Sequence, residues 1–119
     1  IPWIIKDFIN KGIFDDMDIF DKEEILSDTV MANNVEILSI LIDAGIDIHS
    51  EDDWALKHAC LNNNYNMVKL LLKKGANPYV NNNEIIKEVE ELINGTWYTE
   101  KEKKEYSDIL KLLKEYTKK

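Results

Sequence analysis

Only one cysteine, Cys60, stands in the 119 residues. No internal disulfide can form, and a single thiol fits a reducing compartment. No apolar run reaches the roughly 20 residues that a membrane span needs. Basic residues are scarce too: 15 against 23 acids, a formal net charge of −8. That sign opposes a phosphate backbone, so neither nucleic acid nor membrane is expected as a partner. A Gly-rich phosphate loop, a Ser-His-Asp set and paired His ligands are all missing. Carboxylates abound, but in polar stretches with no sign of a pocket. No catalysis, no cofactor and no metal is therefore expected.

Three local look-alikes fail on closer reading. The run DDMDIFDKEE at Asp15–Glu24 has the acid density of a calcium loop. It lacks the glycine at the sixth place and the glutamate at the twelfth that such a loop requires. His58 and Cys60 lie two apart on a helix, where side chains diverge, and no second cysteine or His pair completes a zinc set. Asn94-Gly95-Thr96 is a formal glycosylation triplet, of a kind that chance often supplies. The chain opens on Ile1 rather than Met, which leads us to expect an upstream segment.

Glycine is also rare, with four in the chain, and three of these close near-copies of one phrase. WIIKDFINKG ends at Gly12, VEILSILIDAG at Gly45 and YNMVKLLLKKG at Gly75, at spacings of 33 and 30 residues. A period of that size is the signature of a stacked repeat, whose units bury their apolar faces only against their neighbours. Such a stack works by holding something.

Each phrase reads as an amphipathic outer helix. In Val35–Ala44 the apolar residues Val35, Ile37, Leu38, Leu41 and Ile42 follow helical spacing. In Tyr65–Lys74, Met67, Val68, Leu71 and Leu72 do the same, with lysines opposite. Gly45 and Gly75 sit one residue past the helix, where a left-handed backbone suits glycine. Shorter inner helices are expected over Ile25–Ala32 and Ala55–Leu61, with small residues that let neighbours approach. Ser27 and Asp28 are poor mid-helix residues. Asn33-Asn34 and Asn62-Asn63-Asn64 should make the turns. The polar stretches Ile46–Asp53 and Ala76–Asn83 match at an offset of 30. Asp53 and Asn83 suit N-caps for the helices that follow. Burial is expected for Leu41, Ile42, Leu56, Ala59, Cys60, Leu71 and Leu72.

Both ends depart from the pattern. Glu84–Ile93 continues as an inner helix, and Ser107–Tyr116 as an outer one at an offset of 41, so about eleven residues are inserted near 95–104. Trp97 and Tyr98 in that insertion are expected to fold back and complete a C-terminal cap; the alternative is that they stand out as a partner anchor. Pro2-Trp3-Ile4-Ile5 opens an outer helix with no inner helix before it, and so exposes Ile4, Ile5, Phe8 and Ile9.

These phrases resemble ankyrin repeats. The helix-opening phrase T-P-L-H-x-A is represented by WALKHA, Trp54–Ala59. The outer phrase I-V-x-x-L-L-x-x-G-A-D is represented by MVKLLLKKGAN, Met67–Asn77, and ILSILIDAGID, Ile37–Asp47. The resemblance implies an all-α solenoid of stacked antiparallel helix pairs with short hairpin-like loops and a C-terminal capping helix. It divides the chain into an outer helix of an incomplete repeat, 1–12, and repeats at 13–45, 46–75 and 76–119. Trp54-Ala55 replace Thr-Pro and Lys57 replaces the family histidine, so the hydrogen bonds those residues provide are expected to be lost. The 30-residue repeats, Asp/Asn-rich loops and W-A-L opening are similar to the short-repeat arrays of giant amoebal DNA viruses. That similarity implies a place in the host cytoplasm or nucleus.

The resemblance also implies a non-catalytic protein-binding module, a monomer unless its truncated N-terminal face self-associates. Its partner would meet the finger loops and the inner-helix surface: Met31, Ala32, His49, Glu51, Asp52, Asp53, Leu61, Asn62, Tyr79, Asn81, Asn82 and Asn83. Met31 and Leu61 are equivalent, both apolar, and form a plausible interface centre or else ordinary surface scatter. Charge points to a basic partner, since residues 15–53 carry thirteen acids against Lys22 alone. The alternative is that the acids serve solubility only. A second function class stays open, a structural cap of a longer array whose upstream repeats do the binding.

Overall fold

The computed structural model describes residues 6, 7, 10, 12 and 16–117. Six helices are delimited in it: α1 Ile19–Met31, α2 Val35–Asp43, α3 Ser50–Leu61, α4 Tyr65–Lys73, α5 Val80–Asn94 and α6 Glu100–Thr117. No strand occurs among the described residues. The connections are short turns and loops. An inner row of α1, α3 and α5 lies beside an outer row of α2, α4 and α6, each helix packing on its neighbour in the row and its partner in the pair. Lys6, Asp7 and Asn10 are helical, and Lys6 and Asn10 line one cleft with Ile40, Asp43 and Ala44. The first outer helix therefore abuts α2. The apolar face expected from Ile4, Ile5, Phe8 and Ile9 lies outside the described residues.

The helix ends follow a two-letter rule. Inner helices α1 and α3 stop at Asn33 (φ 55°) and Asn63 (φ 57°), and outer helices α2 and α4 at Gly45 (φ 96°) and Gly75 (φ 101°). All four residues take the left-handed region that glycine, and next to it asparagine, tolerates. Each lets the following N–H reach back five residues: Asn34 to Thr29, Ile46 to Leu41, Asn64 to Ala59 and Ala76 to Leu71. Carbonyls at the helix end gain partners this way. The second asparagine of each pair then caps the next helix. Asn34 Oδ1 accepts from the Ile37 N–H at 3.0 Å and Asn64 Oδ1 from the Met67 N–H at 3.2 Å.

The inner helices differ from expectation at their starts. α1 begins six residues before Ile25, because Asp18 caps it through the Asp21 N–H at 2.9 Å. Ser27 and Asp28 do not break it. In α3 and α5 the first turn is left-handed: Glu51, Asp52 and Asp53 have φ of 55–59°, and Asn81, Asn82 and Asn83 φ of 51–65°. The right-handed helices start at Trp54 and Glu84. Asp53 and Asn83 are thus not N-caps. Their N–H groups close the left-handed turns on the carbonyls of His49 and Tyr79.

Packing follows the stripes. Leu41, Leu56, Ala59, Cys60, Leu71 and Leu72 are buried, as expected, while Ile42 is half-buried against that core. Met67, Val68, Ile85, Val89, Ile109 and Leu113 continue the core toward the C-terminus. The eleven-residue insertion becomes mainly extra turns of α6. Thr99 and Glu102 start that helix as a capping box: Thr99 Oγ1 accepts from the Glu102 N–H, and Glu102 Oε1 from the Thr99 N–H. Tyr98 packs edge-on to Tyr106, ring centroids 5.4 Å apart. The Tyr106 hydroxyl donates to the Leu61 carbonyl at 3.0 Å and Asn63 Nδ2 to Glu105. The expectation for the two aromatics therefore holds for Tyr98 and fails for Trp97, whose ring is 91% exposed. Tyr98 packed inward and Thr99 fixed as a cap turn the preceding side chain out.

Candidate partner-binding surface

The twelve residues expected at an interface fall in two places. His49 is exposed just before α3 and Glu51 and Asp52 in its left-handed first turn; Tyr79 is exposed just before α5 and Asn81, Asn82 and Asn83 in its left-handed first turn. The two segments are tied together. Asn77 donates its backbone N–H to Asp53 Oδ2 at 2.6 Å, His49 Nδ1 meets Asp53 Oδ1 at 2.7 Å, and Asn81 Nδ2 reaches Asp52 Oδ2 at 3.4 Å. Asp53 is 2% exposed. Its carboxylate joins one repeat to the next and cannot face a partner, so it leaves the set. Met31, Ala32 and Asn62 are exposed at the far ends of α1 and α3, with Leu61 half-buried. Met31 and Leu61 are thus not equally open.

Seven rises of helix, about 10 Å, separate the two places. The ground between them is where the sequence reading missed residues. Phe20, 77% exposed, shares a groove of about 390 Å³ with Glu24, Ser27, Ser50, Glu51 and Trp54. Trp54 stacks on His58, ring centroids 4.2 Å apart. The repeat offset could have found this row, since Glu24, Trp54 and Glu84 are equivalent, as are Asp28, His58 and Glu88.

Charges on this face are set by their neighbours. Lys57 spans α3 to α5, with Nζ 3.2 Å from Glu84 Oε1 and 3.5 Å from Glu88 Oε1. The Glu84 contact raises the Lys57 pKa. Hydrogen bonds from Asn81 and then Lys57 lower that of Glu84. Burial, with Lys57 second, lowers the His58 pKa, so its ring stays neutral at pH 7. The pairing of Lys57 and the buried tie of Asp53 stand where hydrogen bonds were expected to be lost. Burial pushes the Cys60 thiol pKa far up, which removes it from redox or ligand chemistry near neutral pH. Among the described residues, no group of three or more His, Cys, Asp or Glu is placed to hold a metal ion, and no helix is long and apolar enough to cross a membrane.

The family model for ankyrin repeats (three copies) matches residues 2–82. The chain is an ankyrin-repeat protein. No curated protein and no solved structure matches it. The family match stops inside the left-handed turn of α5, yet the stack does not: α5 packs on α3 and α6 on α4 in the same two rows. Ankyrin repeats are in general protein–protein interaction modules and typically non-catalytic.

Proposed function

We propose that this ankyrin stack binds a basic protein segment across its inner-helix face and finger loops, without catalysis. One observation carries the reading: apolar Phe20, Met31 and Tyr79 are exposed at 77%, 57% and 54%, among carboxylates on the same loops and inner helices. Exposed anchors inside a charged rim are the usual anatomy of an interface. The surplus of acid speeds the approach of a basic partner and opposes nucleic acid or an anionic membrane. The contact set is Met31, Ala32, His49, Glu51, Asp52, Leu61, Asn62, Tyr79 and Asn81–Asn83, extended by Phe20, Glu24 and Trp54. The short repeats and Asp/Asn-rich loops support the similarity to arrays of giant amoebal DNA viruses, and with it action inside a host cell. A second reading, the structural cap of a longer array, is favoured by α6, which closes its end through Tyr106 and Glu105.

Neutralising Glu24→Gln, Glu51→Gln and Asp52→Asn together tests the first reading. Association with the partner should slow and lose most of its salt dependence. Unchanged association kinetics in the triple variant would sink it.

A further inference from the structure

A second cleft, of about 330 Å³, lies at the C-terminal end of the inner face. Leu61 and Leu92 floor it, and Glu88, Glu91, Trp97 and Tyr98 rim it. Trp97 has no part in closing the stack, since Tyr98 does the packing and Thr99 the capping. A 91% exposed indole beside two carboxylates is not explained by the fold. Glu88, partly exposed and facing Lys57 with its Oε1, adds negative charge to the lining.

We propose that this cleft holds an arginine side chain of the partner, its guanidinium stacked on Trp97 and hydrogen-bonded to Glu91, with Glu88 adding negative charge beside it. The indole face is the strongest aromatic attractor of cations. Guanidinium is planar, weakly hydrated and forked, so it can stack and donate to a carboxylate at once. Its methylene stem suits the Leu61–Leu92 floor. A lysine ammonium is compact and strongly hydrated, and fits less well. The pocket deepens the reading of a basic partner and rests on it.

The test is a titration of the three tryptophan indole N–H signals by NMR, with acetyl-Gly-Arg-Gly-amide as probe. The arginine peptide should move the Trp97 signal saturably and leave Trp54 still. Its citrulline counterpart, the same shape without charge, should move neither. Glu91→Gln, an exposed change that does not touch the core, should weaken the titration by about tenfold at unchanged melting temperature, and Trp97→Leu should abolish saturable binding detected by calorimetry. Equal shifts at Trp54 and Trp97 would mean attraction to bulk charge and overturn the pocket. Equal effects of arginine and citrulline, or a Glu91→Gln titration like the parent's, would overturn it as well. The neutralisation series at Glu24, Glu51 and Asp52 reads the wider surface independently, so a failed peptide titration beside an intact charge effect overturns this pocket alone.

Discussion

Leu71, on α4, is wholly buried in the core. Truncation there leaves a cavity that the stack cannot collapse into, so Leu71→Ala should lower stability by about 2–5 kcal/mol in a denaturant melt. A change under about 0.5 kcal/mol is what a surface site gives and would show the register to be wrong. Asp53 makes a finer case. Asp53→Ala orphans the Asn77 N–H and should cost about 1–3 kcal/mol. Asp53→Asn keeps an acceptor and suits the left-handed backbone, so it should cost clearly less; equal losses in the two variants would deny the hydrogen bond its role. His58 sets a pH response. Its folded pKa lies below 6.5 through burial first and Lys57 second. The unfolded chain therefore binds more protons between the two values, and the stability His58 contributes is complete above 6.5 and lost as pH falls through the folded pKa. The melting temperature should drop between pH 7 and 5.5, and His58→Gln should flatten that slope; an equal slope in the variant would contradict it.

The elements show how far the sequence could be read. Outer helices α2 and α4 were legible nearly to the residue, because a strong apolar stripe and a closing glycine fix both the face and the end; α6, without that glycine, starts seven residues before the expected Ser107. The Asn turns were legible as turns, and the structure adds their division of labour between a left-handed stop and a cap. The left-handed turns at Glu51–Asp53 and Asn81–Asn83 were not legible. Three consecutive residues in that region cost about 1–2 kcal/mol each without glycine, and only contacts between repeats, such as Asp53 to Asn77, can favour them. The row of Glu24, Trp54 and Glu84 was legible from the repeat offset, but the exposure of Phe20 beside it was not, since the offset aligns residues without saying which are open. The capping box at Thr99 is legible in T-E-K-E, although the repeat offset breaks there. Thr99→Ala should cost about 1 kcal/mol and Tyr106→Phe about 0.5–1.5 kcal/mol in thermal melts. If neither variant shifts the transition, α6 does not close the stack through these contacts.

At the scale of the whole molecule, the stack gives two unlike sides. The inner side collects exposed apolar groups and carboxylates, and the outer side of α4 carries exposed Lys69 and Lys73. The sequence showed the charge imbalance between its segments but not which side of the slab each would occupy. That follows only once left-handed turns bring the two loops together and α5 sets Glu84 and Glu88 beside Lys57. The central claim is that the inner side is the working one. Site-specific photo-crosslinking tests it most directly, with the reactive group placed in turn at Met31 and Tyr79 on the inner side and at Glu36 and Lys69 on the outer. The account predicts one and the same protein captured from Met31 and Tyr79, in a salt-sensitive way, and none from Glu36 or Lys69. Capture from the outer positions alone, or equally from both sides, would contradict it.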